Sequence, residues 1–229
     1  MTVHRFFVGP EEAAADRFPL PTSIAHQVRD VLRLRDGDRI VLLTGDGFET
    51  ACRLDGAECV VEDRRVAGGE PAHRLTIVQA LLKADALEEV VRQGTEIGVD
   101  AFRLVVTERC VVRELGPRKL ERLRAIARES AEQSERGRVP SVGAPEALLT
   151  AVGSGTVVLA ERERDVRLHE VPVPAAVVVG PEGGFGAREL EAAVAAGAVL
   201  AGLGPRILRS RTVAVAAAAA VLSRTGDFA

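Results

Sequence analysis

The sequence predicts an α/β protein in two parts, a β-rich front domain over residues 1–70 and a domain built on a parallel sheet over residues 72–229. Three observations predict it. Up to about residue 66 the apolar residues fall in short, closely spaced runs separated by turn signals. The stretch Ala67-Gly68-Gly69-Glu70-Pro71 then breaks the pattern, as a linker does. Beyond it, wholly apolar strands alternate with helices, the pattern of a parallel sheet covered on both faces.

In the front segment, Phe6-Phe7-Val8 is the first apolar run. Thr22 and Ser23 are N-cap candidates for a helix carrying Ile24, Val28, Val31 and Leu32 at helical spacing, which Asp36-Gly37-Asp38 ends. Residues 39–44 and 48–54 read as strands joined by the hairpin turn Gly45-Asp46-Gly47, and 58–66 as another strand. Short strands with one helix suggest a small barrel.

In the second part, residues 75–82 form an apolar strand, and Asp85 with Glu88 can cap the helix that carries Leu87, Val90, Val91 and Gly94 on one face. Residues 102–107 are the next strand. Pro117 opens a long helix to about Ser134. Buried strands follow at 157–160, 176–179 and 199–203, with one helix from about Ala187 and an alanine-rich one from about Thr212.

Composition narrows the function. A chain of 229 residues with 47% hydrophobic and 28% charged residues is ordinary for a water-soluble protein, and no apolar run nears the roughly 20 residues that span a bilayer. Without a signal-peptide core after Met1, a cytoplasmic protein is expected. Cys52, Cys59 and Cys110 lack metal-ligand spacing, so they are expected to be buried thiols, with no metal site. A net charge of −3 excludes a uniformly basic nucleic-acid binder. The cations are nonetheless almost all arginine, whose planar fork suits phosphate and base edges, although compositional bias accounts for much of that.

Two loops stand out. Val179-Gly180-Pro181-Glu182-Gly183-Gly184-Phe185-Gly186 follows a buried strand and precedes a helix. Glycines there permit positive φ and close approach of a ligand to the backbone, at the strand end where open parallel sheets bind ligands. A plain strand-to-helix turn would look the same, and neither the P-loop nor the dinucleotide fingerprint is present. The second loop, Leu203-Gly204-Pro205-Arg206-Ile207-Leu208-Arg209-Ser210-Arg211-Thr212, also closes a buried strand. It too can be read as a solvated connection, but two such loops together favour a shared pocket.

The pair Gly180-Pro181-Glu182-Gly183-Gly184-Phe185 and Leu203-Gly204-Pro205-Arg206-Ile207-Leu208-Arg209 resembles the signature of the RsmE family, SPOUT-class methyltransferases acting on N3 of a uridine in 16S ribosomal RNA. The likeness runs in order along the chain, through His4-Arg5-Phe6-Phe7, Val31-Leu32-Arg33-Leu34 with Gly37-Asp38, Gln79-Ala80-Leu81 with Lys83, Glu96-Ile97-Gly98-Val99, Thr107-Glu108-Arg109, and Glu132-Gln133-Ser134 with Arg138-Val139-Pro140. The resemblance implies a PUA-like RNA-binding barrel at the front, a C-terminal trefoil knot and a homodimer. It implies S-adenosylmethionine as cofactor, held by Gly180, Pro181, Glu182, Gly183, Gly184, Leu203, Gly204, Ile207, Leu208 and Arg209, and small-subunit ribosomal RNA, free or assembled, as partner. Two positions depart from the family: Gly186 stands where a serine or threonine commonly caps the helix, and Ser210-Arg211-Thr212 where Thr-Glu-Thr is often found.

Methyl transfer to N3 requires loss of the N3 proton, so a base or a cation facing the developing uracil anion would help. Arg209 is the candidate cation; no base is identified, since His4, His26, His73 and His169 are scattered. For RNA contacts the candidates are Arg5, Arg29, Arg33 and Arg35 in the front domain, where acids are fewer, and Arg138. Arg29 and Arg33, four apart, are expected on one helix face. The arginines of the long helix alternate with acids and read equally as a solvated surface. With seven phenylalanines and no tyrosine or tryptophan, base stacking is limited. The cofactor loops do not specify the acceptor, so another target nucleotide, or a non-catalytic RNA-binding factor on the same fold, are the competing readings.

Overall fold

The computed structural model describes residues 3–83 and 85–228. The chain divides into two compact units, residues 1–70 with 131–139, and residues 71–130 with 140–229.

In the first unit, β1 (His4–Phe7), β2 (Arg17–Pro19), β3 (Arg39–Leu43), β4 (Phe48–Asp55) and β5 (Glu58–Val66) form one sheet in the order β1-β3-β4-β5-β2. Only β1 and β3 run parallel. Phe6, Ile40 and Leu42 bury one face of β1 and β3 with Val28, Cys52, Leu54 and Cys59, while Phe7, Val41 and Leu43 bury the other with Ala67 and Ala131. Burial on both faces explains why these strands read as continuous apolar runs rather than alternating ones. Residues 131–139 return to this unit, an excursion that one boundary at 67–71 does not describe. Arg136, 2% exposed, donates from Nε and Nη2 to the Glu70 carboxylate at 3.2 and 3.0 Å, and the same carboxylate accepts the Arg138 N–H at 3.0 Å.

The front helix corrects two expectations. Helix α1 (Thr22–His26) is preceded by Pro21 at the N-cap, so Thr22 is its first residue and no side chain caps it. Residues Gln27–Val31 continue in a wider π-type turn. Arg33 follows at φ 56, in the left-handed region, and the Leu34 N–H reaches the Val28 carbonyl at 3.0 Å. Arg33 is thus the residue that ends the helix, and it shares no helix face with Arg29.

In the second unit, β6 (Thr76–Ala80), β7 (Ala101–Val106), β8 (Ser141–Val142), β9 (Glu146–Ala147), β10 (Thr156–Leu159), β11 (Ala176–Val179) and β12 (Val199–Ala201) make a seven-stranded sheet. Its order is β12-β10-β11-β6-β7-β8, with β9 also on β7, and every pair is parallel. All carboxyl ends therefore lie along the same edge. Helix α2 (Asp85–Ile97) buries Leu87, Val90, Val91, Gly94 and Thr95. Asp85, expected as its cap, is instead the first residue of the helix, with Glu88 also in the first turn. Gly94 is required because a Cβ there would lie 2.8 Å from the Phe102 ring. Helix α3 (Pro117–Gln133) buries Leu123, Ile126 and Ala127 and exposes its charges. Helix α4 is Ala187–Ala195. Helix α5 (Ser210–Leu222) buries the small residues Ala214, Ala217 and Ala218, and packs against α2, β6 and β11. Among the described residues, no helix is long and apolar enough to cross a membrane.

Candidate active site

At the carboxyl edge of the parallel sheet, the loops after β6, β7, β10, β11 and β12 surround a cavity of about 1040 Å³. The two loops singled out in the sequence meet here: Gly180, Pro181, Glu182, Gly183 and Gly184 line it from one side and Leu203, Gly204, Ile207, Leu208 and Arg209 from the other. Ser210, the first residue of α5, ties them together. Its Oγ donates to the Gly180 carbonyl at 2.5 Å and accepts from Nε2 of Gln79, a fully buried residue of β6, at 3.2 Å. Gln79 Nε2 also donates to the Ala80 carbonyl at 2.9 Å, so the strand, the first loop and the last helix are fixed to one another.

The glycines are of two kinds. Gly184 (φ 68) and Gly204 (φ 135) have backbone conformations that a side chain would strain, with open space where a Cβ would stand. Gly180 and Gly183 are hemmed in. A Cβ at Gly180 would lie 3.0 Å from the Phe185 ring, and one at Gly183 would lie 3.2 Å from Arg109 Cβ. Arg109 also donates from Nη1 to the Gly183 carbonyl at 3.1 Å, which holds the β7 loop against the glycine loop. A cradle of this kind, with backbone exposed and little side-chain bulk, fits a cofactor held through main-chain groups.

Gly186 is the N-cap of α4, and the Glu189 carboxylate accepts its N–H at 2.9 Å and that of Glu108 at 2.7 Å. A Cβ at Gly186 would meet only the far end of the exposed Glu108 side chain, which can move aside. The other departure has a structural partner. Arg211 Nη1 donates to both oxygens of Glu89 on α2, at 3.2 and 3.0 Å, so the guanidinium is balanced by a carboxylate from the neighbouring helix.

The cavity is lined by six cations, Lys83, Arg109, Arg162, Arg206, Arg209 and Arg211, against two carboxylates, Glu161 and Glu182. In a chain of net charge −3 this is a local reversal of sign, and it favours an anionic substrate. Arg209 is exposed, and its backbone carbonyl caps α5 by accepting the N–H groups of Thr212 and Val213 at 2.8 and 2.9 Å. Among the described residues no histidine lines the cavity.

Sequence reasoning missed the loop after β10, where Glu161 and Arg162 line the cavity. The signal was available, because every strand of a parallel sheet delivers its loop to the same edge and β10 is one of them.

The front-domain arginines divide into two groups. Arg5 pairs with Glu135 at 2.9 Å and lies 4.0 Å from Glu49, with its side chain 15% exposed. Arg29 donates to the Leu34 carbonyl at 2.9 Å, to the Gly56 carbonyl and to Asp36. The scarcity of acids expected around this group does not hold for these two. Arg33 and Arg35 are exposed, and their guanidinium groups have no protein partner among the described residues. Arg138 is half-buried, its Nη2 3.4 Å from the Asp46 carbonyl.

Comparison with known proteins agrees with this geometry. Residues 69–222 match the family model of the RNA methyltransferase domain. The chain is 31% identical to the ribosomal RNA small subunit methyltransferase E of Bacillus subtilis, over 92% of this chain and 91% of that protein. It is 36% identical to the protein of that name from Mycobacterium tuberculosis, over 83% and 80%. The crystal structure of the Neisseria gonorrhoeae ribosomal RNA small subunit methyltransferase E bound to S-adenosyl methionine superposes with a TM-score of 0.90 at 29% identity, covering both chains fully. With these matches over nearly its whole length, the chain belongs to the ribosomal RNA small subunit methyltransferase E family and is an RNA methyltransferase.

Proposed function

We propose that the protein transfers a methyl group from S-adenosylmethionine to N3 of a uridine in 16S ribosomal RNA. The observation that carries this reading is the convergence of two glycine-rich strand-end loops on one cavity of positive character. Gly180, Gly183, Gly184 and Gly204 would present backbone to the cofactor, with Leu203, Ile207 and Leu208 beside its apolar parts. When bound, S-adenosylmethionine supplies an electrophilic methyl group on a sulfonium sulfur. The protein's part is to fix the uracil against that methyl group, where orientation alone gives large effective molarities. As the new N–C bond formed, the methyl–sulfur bond would break to release the neutral thioether, and the N3 proton would pass to solvent. Arg209 is the cation assigned to the negative charge that then spreads over the uracil ring, in the manner of an oxyanion hole. No metal ligand enters this scheme.

The reading extends to the rest of the chain. The five-stranded sheet with its helix is compatible with a PUA-like barrel, in which Arg33 and Arg35 would meet RNA phosphates. Helix α5 leaves edge strand β12 to pack on α2, β6 and β11, in keeping with a trefoil knot. The half-buried strip of Val215, Ala216 and Ala219 beside Glu89 and Gln93 suits pairing of two copies. Small-subunit RNA is made and assembled in the cytoplasm, so the enzyme is placed there.

The deciding measurement is methylation of small subunits and of naked small-subunit RNA, purified from a strain lacking the modification, followed by nucleoside mass spectrometry. N3-methyluridine is expected. A different methylated nucleoside would overturn the acceptor, and no incorporation by protein that binds S-adenosylmethionine would favour a non-catalytic factor.

A further inference from the structure

We propose that Arg162, with Arg206, binds a phosphodiester of the RNA substrate at the rim of the active-site cavity. The inference rests on the methyltransferase reading and adds the part of the site that receives the RNA backbone. Arg162 belongs to the loop after β10, and this loop is built rigidly. Ala160 N–H donates to the Ala201 carbonyl at 3.0 Å, Gly202 N–H to Val166 at 2.8 Å, and Leu168 N–H to Gly202 at 3.0 Å. Arg164 Nη1 donates to the Gly204 carbonyl at 2.7 Å, locking the loop to the second glycine loop. Within it, Glu163 accepts the N–H groups of Asp165 and Val166 at 2.7 and 3.2 Å, which holds its carboxyl below the usual carboxylate range. The approach is so close that a Cβ at Gly202 would stand 2.3 Å from the Glu163 carbonyl oxygen.

Against this fixed backbone the Arg162 guanidinium is exposed and has no protein partner among the described residues. Arg206, on the loop to which Arg164 is bonded, is also exposed and unpartnered. The neighbouring Arg164 is used for architecture and Arg162 is not, although both belong to the same loop. Two exposed guanidiniums that line one cavity and have no protein partner among the described residues suit phosphate, which accepts from the planar fork in bidentate fashion. The carboxylate of the cofactor is the other anion that could reach them. The exposed position favours the substrate backbone, which must stay outside while one base enters.

The test uses the full-length protein and its Arg162→Ala variant. Because the side chain has no internal partner, the variant should melt with the wild type. Expected are unchanged S-adenosylmethionine affinity by calorimetry, a KM for small-subunit RNA raised by about tenfold, and a log–log salt dependence of RNA binding shallower by about 1. Arg162→Lys should restore most of the salt slope, since a point charge suffices for it. A fall in S-adenosylmethionine affinity would assign Arg162 to the cofactor and overturn the proposal. An unchanged KM in a wild type that methylates RNA would overturn it while leaving the methyltransferase reading intact. A wild type that methylates no small-subunit RNA would remove both.

Discussion

Gly183 is constrained from two sides, by the cavity it lines and by Arg109 behind it. The first β-carbon of any replacement already presses on Arg109, so Gly183→Val shifts the β7 loop as well as narrowing the cavity. Overpacking of this kind costs about 1–3 kcal/mol. Gly183→Val is expected to lose at least tenfold in S-adenosylmethionine affinity, at about 1.4 kcal/mol per tenfold, and Gly183→Ala less. Calorimetry that finds both variants equal to wild type would remove Gly183 from the cofactor site. Arg209 separates backbone from side chain. Its carbonyl caps α5 whatever the side chain, so Arg209→Ala should keep the fold and bind the cofactor nearly as well. Losing a cation that faces developing charge should lower kcat on the order of 10²-fold. A single-turnover rate within a fewfold of wild type would leave the uracil anion without its assigned partner.

At the scale of elements, the wider turn that follows α1 is ended by a residue poorly suited to its backbone. A non-glycine residue in the left-handed region costs roughly 1–2 kcal/mol, and Arg33 occupies it at φ 56. Arg33→Gly is expected to raise stability by about 1 kcal/mol in urea unfolding and to weaken RNA binding. Improved stability with unchanged RNA affinity would show that the guanidinium has no part in recognition. The α2–α5 contact offers a second test. Arg211 and Glu89 are each 43% exposed, so the pair contributes no more than about 0.2–1 kcal/mol. Its sign matters more than its size. Arg211→Glu would set two carboxylates against each other beside the cavity and should lower the melting temperature and activity. Adding Glu89→Arg should recover both, and failure of that rescue would show that Arg211 acts on something other than Glu89.

At the scale of the whole molecule, burial governs the cysteines. Desolvation pushes the Cys52 thiol from 9.0 up to about 12 and the Cys59 thiol up to about 11. An acid whose pKa is raised by folding supports stability below its unfolded value. As pH climbs above 9.0 the unfolded chain loses protons that the folded one keeps, so this support declines and is gone once pH passes 11–12. Urea midpoints should therefore fall as pH rises above about 9, and both thiols should resist alkylation in the native protein at pH 8. Labelling of Cys52 or Cys59 by mass spectrometry at the rate of an unfolded peptide would contradict the burial. Charge is likewise organised at this scale, since a chain of net −3 gathers six cations around one cavity.

The sequence by itself determined the longer elements and the two glycine loops, because apolar periodicity, turn glycines and strand-end position are local properties, whereas the two- and three-residue strands β2, β8 and β9 are too short to carry a period. The continuous apolar runs at 75–82 and 176–179 sufficed to predict buried parallel strands, and β6 and β11 lie side by side in the sheet. Tertiary structure decided what depends on neighbours distant in the chain. It bonded Ser210 to Gly180 and Gln79, paired Arg211 with Glu89, brought the β10 loop and Arg162 to the cavity, and tied up Arg5 and Arg29 while leaving Arg33 and Arg35 free. A guanidinium reads the same in sequence whether a carbonyl 40 residues away accepts it, as Gly204 accepts Arg164, or nothing does, as with Arg162. The difference is set by backbone geometry that only the assembled sheet provides.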